Sequence, residues 1–144
     1  MTACVLDASV AAKWFLPSAN EPLATEAVGV LRDHTVGRLE LLAPDLLWPE
    51  LGNILWKAVR LHRMTPQSAI EAIRSFEDLR ISIRPSQPLL EDAFEIARTF
   101  DRTVYDSLYV ALAIATNAPL VTADEHLANA LAARLPVRWL GALL

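Results

Sequence analysis

The sequence predicts an α/β protein, a three-layer α/β/α sandwich built on a central parallel sheet of about five strands. Short apolar runs of strand length alternate along the chain with stretches of helical period. Strands separated by helices in this way suggest a parallel sheet. A length of 144 residues suits one compact domain. The expectation is therefore a single domain over residues 1–144, with no repeat, linker or low-complexity tract.

Each element follows in order. Ala3 to Leu6 reads as a buried strand, and Ala8 to Leu16 as a helix stopped by Pro17. Glu21 to His34 is a second helix, closed by Gly37. Leu39 to Ala43 is a strand ended by Pro44, and Asp45 to His62 a long amphipathic helix with Asp45 as its N-cap. Thr65-Pro66 opens the next helix with a capping hydroxyl and a proline in the first turn, and it runs to about Leu79. Arg80 to Arg84 is a short strand, and Gln87 to Phe100 is helical. Tyr105 to Thr116 is apolar nearly all round, hence a helix buried on several sides. Pro119 to Thr122 is a strand, Asp124 to Ala133 a helix and Val137 to Leu140 a final strand.

Composition narrows the function. Hydrophobic residues make up 53% of the chain, a high share, yet no apolar run reaches the ~18–20 residues of a membrane span. The excess must be buried in a core, an interface or both. The N-terminus lacks the basic start and apolar stretch of a secretory signal, and one cysteine, Cys4, allows no intrachain disulfide. Both favour a cytoplasmic location. The net charge of −4 argues against a broad basic surface for nucleic acid, although 11 of the 13 basic residues are arginine and leave room for a local patch.

Most carboxylates fall on polar helix faces, but four do not. Asp7 directly follows the first strand, and Asp124 follows the strand ending at Thr122 after one residue. Ligand sites of parallel α/β sheets form outside the carboxyl ends of the strands, so both lie where chemistry is expected. Glu50 sits on the flank of the apolar stripe Leu47, Leu51, Ile54, Ala58 and Leu61, and Asp106 stands at the start of the apolar helix. Buried carboxylates that share a neighbourhood repel one another. Lys13 and Arg102 are the nearest cations in sequence. A hard dication such as Mg²⁺ or Mn²⁺, with its preference for carboxylate and water oxygens, would let the four acids coexist. Each acid also has an ordinary use: Asp7, Asp106 and Asp124 can cap helices, and Glu50 can be a solvated flank residue.

At these residues the chain resembles the PIN-domain family, and within it the toxin ribonucleases of bacterial VapBC toxin–antitoxin pairs. The resemblance rests on Val5-Leu6-Asp7-Ala8-Ser9-Val10 with Lys13-Trp14-Phe15-Leu16, on Pro49-Glu50-Leu51-Gly52-Asn53, on Tyr105-Asp106-Ser107-Leu108-Tyr109-Val110-Ala111-Leu112-Ala113 and on Leu120-Val121-Thr122-Ala123-Asp124. The four segments stand in the family's order and span almost the whole chain. The resemblance implies that Asp7, Glu50, Asp106 and Asp124 form an acidic site for Mg²⁺ or Mn²⁺ that hydrolyses RNA. It makes Asp7 and Asp106 the firmest metal ligands. Ser9 and Thr122 become hydroxyl neighbours of the site, and Asn53 a hydrogen-bonding support for Glu50. It also implies a homodimer and inhibition by a cognate VapB-type antitoxin whose tail reaches the acids.

Other residues carry less. Trp14, Phe15, Trp48 and Trp56 suit either a core or a partner groove, the core being favoured. His34, His62 and His126 share no ligand spacing; His126 stands about 200° from Asp124 around their helix. Cys4 reads as an inert buried thiol. Arg98 and Arg102 precede the Asp106 helix, where they suit RNA phosphates or ordinary ion pairs. Two competing functions are an aspartyl-phosphate phosphatase and a non-catalytic interaction module. The first wants a second Asp two positions after Asp7, where Ser9 stands, and the second has no use for four retained acids.

Overall fold

A computed structural model describes residues 2–143. Its five strands are β1 (Thr2–Leu6), β2 (Leu39–Pro44), β3 (Ser82–Arg84), β4 (Leu120–Thr122) and β5 (Val137–Trp139). They form one parallel sheet in the order β3-β2-β1-β4-β5. The helices are α1 (Ala8–Ala11), α2 (Ala24–Thr35), α3 (Leu47–Arg60), α4 (Pro66–Asp78), α5 (Leu90–Phe100), α6 (Val104–Thr116) and α7 (Glu125–Leu131). The predicted sandwich is observed.

Alternation along each strand builds two core layers. Cys4 and Leu6 of β1, Leu41 and Ala43 of β2 and Val121 of β4 point to one face. There they meet Val30 of α2, Leu47, Leu51 and Leu55 of α3 and Phe76 of α4. Val5, Leu42 and Leu120 point to the other face and pack with Tyr109, Val110, Leu112 and Ala113 of α6 and Leu127 and Leu131 of α7. With a side-chain period of two, consecutive buried residues such as Cys4, Val5 and Leu6 serve opposite faces. α5 lies outside α6, with Ala93 buried against Leu108 and Ala111. Among the described residues no helix is long and apolar enough to cross a membrane.

Several local expectations are corrected. The first helix keeps its α-form only to Ala11 and tightens to a 3₁₀ turn over Ala12–Trp14. The second begins three residues late, at Ala24, because Leu23 takes a left-handed conformation with φ of 60°. Gln87–Leu89 is a 3₁₀ turn before α5. Asp45 does not cap α3, whose N-cap is Leu46 with no side-chain bond. Its carboxylate instead accepts from the backbone N–H and the hydroxyl of Ser86. That contact ties the end of β2 to the loop after β3, and a donor 41 residues away is invisible to local spacing.

The aromatic residues divide. Trp14, Phe15 and Trp48 all pack around Phe76, and the Trp14 indole N–H donates to the Ala27 carbonyl at 2.7 Å. Trp56 is exposed and lies beside the Arg60 guanidinium. Cys4 is buried, and that burial pushes its thiol pKa up to about 11. The His34 ring nitrogens face the carbonyls of Leu39 and Leu79, a structural use, and His126 is exposed.

Candidate active site

β1 and β4 are neighbours, with Leu6 paired to Val121. Asp7 and Thr122 therefore leave the sheet side by side, 115 positions apart in the chain. The Thr122 hydroxyl, fully buried, donates to Asp7 Oδ2 at 2.7 Å and accepts the Asp124 N–H at 3.0 Å. Asp7 Oδ1 accepts the Ser9 N–H at 3.4 Å, which also caps the short α1. Ser9 Oγ accepts the Ala123 N–H at 3.1 Å, stitching the two strand ends together again. Ser9 thus holds Asp7 through its backbone N–H and the next strand end through its hydroxyl, while the Thr122 hydroxyl bridges Asp7 and the Asp124 turn.

The other acids come from opposite layers. α3 on one face brings Glu50, and α6 on the other brings Asp106. Asp106 does not cap its own helix. Thr103 does, its hydroxyl accepting the Asp106 N–H at 3.0 Å. The Thr-x-x-Asp spacing of a capping box was the sequence signal for that cap. Asp106 is half-buried, and its charge is felt by Asp7 at the end of β1. Asp124 is exposed, and its Oδ1 accepts the Leu127 N–H at 3.1 Å as the cap of α7. Asn53 is exposed on α3, and no hydrogen bond joins it to Glu50 among the described residues.

Electrostatics couples the four acids. Burial pushes the Asp7 carboxyl above the usual carboxylate range; the Thr122 and Ser9 bonds work against this, and the charge of Asp106 adds to it. Glu50 is also raised, first by burial and further by Asp7 and Asp106. Asp106 is raised by burial and by Asp124, with Thr103 and Arg102 opposing. Among the described residues the ion pairs are Lys13–Glu21, Arg63–Glu21 and Arg98–Glu95. None engages the four acids. Lys13 in particular is buried against Glu21 and the Pro22 carbonyl, away from them.

The donor set is all oxygen, with no thiol or imidazole, which suits a hard dication. Glu50 Oε1 is buried and has no hydrogen-bond partner, as a ligand atom awaiting a cation would be. The residues fit such an ion by chemistry. Even so, no three acidic, histidine or cysteine side chains among the described residues converge tightly enough to make a finished cage.

The sequence profile of the PIN domain matches residues 4–131. The chain belongs to the PIN-domain family. This PIN domain is 30% identical over 128 residues to Ribonuclease VapC3 of Pyrobaculum aerophilum, an alignment covering 87% of this chain and 92% of the relative. Its fold matches Mycobacterium tuberculosis VapC20, described as a toxin that cleaves the sarcin-ricin loop, at a TM-score of 0.65. That pair shares 15% identity over 92% of this chain and 95% of the other. The VapBC2 structure from Rickettsia felis, bound to a promoter DNA fragment, matches at 0.65 with 14% identity, covering 96% of this PIN domain and 98% of that chain. Homology to VapC-type toxins follows from the sequence relatives; the distant structures speak for the fold. Within this PIN domain the sequence reading assigned no role to Thr103 or Tyr109, both of which the structure places beside the acids.

Proposed function

We propose that this PIN domain is a Mg²⁺- or Mn²⁺-dependent ribonuclease, the toxin of a VapBC-type pair. The observation that supports the reading is the coupling of these acids: Asp106 adds to the raised pKa of Asp7, both add to that of Glu50, Asp124 adds to that of Asp106, and no ion pair among the described residues engages them. The curated relatives named as VapC ribonucleases support it.

Asp7 and Asp106 would hold the metal, with Glu50 and Asp124 completing its surroundings directly or through water. When bound, the ion supplies an activated water and offsets charge on the leaving oxygen of a phosphodiester. The chain's own residues prepare the site. Thr122 and Ser9 fix the Asp7 carboxylate, so it presents its oxygens in one orientation. Thr103 fixes the first turn of α6 and with it Asp106. Arg102, close enough to lower the Asp106 pKa, supplies positive charge at the rim for a phosphate.

The same reading gives the protein a cognate VapB-type antitoxin, a homodimeric state and a cytoplasmic place of work. The exposed Trp56, Leu61, Leu90, Phe94 and Ile114 provide apolar surface for such partners. An antitoxin arginine set among the four acids would supply the charge the metal otherwise brings.

The purified protein is expected to cleave RNA with Mn²⁺ or Mg²⁺ and to stop in EDTA. Asp106→Asn is expected to lose at least about 100-fold in rate while melting no lower than the parent, since it removes a repelling charge. Full cleavage in excess chelator, or by Asp106→Asn, refutes the assignment.

A further inference from the structure

Tyr109 has no part in the mechanism above, yet its surroundings are unusual. It stands three residues after Asp106 on α6, so the two side chains share a helix face. The ring is 2% exposed, in the core layer under the strand ends. Its hydroxyl is one of three buried side-chain polar atoms among the described residues that have no hydrogen-bond partner. Glu50 Oε1 is another.

The two unpartnered atoms belong to neighbouring groups. The Tyr109 hydroxyl works against the burial that raises Glu50, and Glu50 in turn adds to the burial that raises Tyr109. The pair nevertheless makes no hydrogen bond of ordinary geometry. The Ala8 N–H, at the start of α1, leans on the hydroxyl oxygen from the other side and lowers its pKa. The hydroxyl proton is thereby left for the carboxylate. A buried hydroxyl without a partner is unfavourable, and phenylalanine would fill the same space without that cost. A hydroxyl held there beside Glu50 therefore implies a use at that carboxylate.

We propose that Tyr109 is a positioning residue: its hydroxyl donates to one Glu50 oxygen when the acids close on a dication, turning the other oxygen toward Asp7 and Asp106. The inference rests on the metal-dependent reading above. Partners of this kind orient metal-binding carboxylates, and their loss commonly weakens metal affinity by about 10- to 100-fold.

The test is Mn²⁺ affinity, measured by calorimetry on the intact protein, the single variants Tyr109→Phe and Glu50→Gln, and the double variant. Tyr109→Phe is expected to weaken Mn²⁺ binding by about 10-fold or more, with a metal-free melting temperature equal to or above the parent. In the Glu50→Gln background the same change is expected to have little further effect, because the carboxylate it positions is gone. Parental Mn²⁺ affinity in Tyr109→Phe overturns the role of Tyr109 and leaves the metal site standing. A loss of the same size in both backgrounds overturns it too, since it would not act through Glu50. Absence of Mn²⁺ binding by the parent protein overturns the metal site, and the Tyr109 role with it.

Discussion

Replacing Thr122 by valine tests the joint between the strand ends. The side chain is fully buried, and valine keeps its shape while removing one oxygen. That oxygen makes two bonds, donating to Asp7 Oδ2 at 2.7 Å and accepting the Asp124 N–H at 3.0 Å. A bond to an ionised carboxylate contributes about 1.5–3 kcal/mol. Asp124 is exposed, so water can take up its N–H at little cost. The extra methyl of valine returns less than ~1 kcal/mol. With Asp7 ionised, the expected net loss is about 2 kcal/mol at pH 7.5 without metal, or roughly 4–8 °C in melting temperature for a domain of this size. The sign with pH is also determined. The Thr122 bond lowers the Asp7 pKa, so valine leaves that carboxyl still higher. Once Asp7 is protonated in both proteins, only a neutral bond is lost, worth about 1 kcal/mol. The gap between parent and variant should therefore narrow as pH falls. Urea unfolding followed by circular dichroism, with an unchanged slope, measures it. A gap below ~0.5 kcal/mol at pH 7.5, or one that widens in acid, refutes the reasoning.

Two further outcomes are expected. Asp7, Glu50 and Asp106 all have folded pKa values raised above the ordinary carboxylate value of about 4. The folded state therefore binds more protons there than the unfolded chain, and this contribution to metal-free stability is lost as pH climbs through the raised values. Melting temperature without metal should fall as pH rises above the ordinary carboxylate range, and millimolar Mn²⁺ should restore it at the upper end; a metal-free profile that rises instead contradicts the electrostatics. Gly141→Ala would place a Cβ 2.5 Å from the Trp139 ring. It should cost about 1–3 kcal/mol, and thermal melts indistinguishable from the parent would show that this C-terminal turn yields freely.

The legible part of the fold was whatever short-range chemistry specifies. Short apolar runs marked β1 and β4, Thr65-Pro66 marked the start of α4 by a cap that the structure contains, and the apolar Asp106 helix was buried as read. What failed were ends whose partners are remote. Asp45 was a good local cap until Ser86 claimed it. Tyr109 looked like any aromatic core residue, because its ring satisfies the pattern and only its hydroxyl is out of place.

The same division holds at the site. Sequence alone placed Asp7 and Asp124 just after strands, Glu50 on the flank of an apolar stripe and Asp106 at the start of an apolar helix, because each of these positions is defined by a few residues on either side. Only the tertiary structure could decide that they share one edge. That depends on β4 lying beside β1 and on α3 and α6 reaching over from opposite layers, contacts between residues up to 115 positions apart. Local propensity acts over a turn or two of chain, whereas the repulsion among these acids acts through space, and only the folded topology sets those distances.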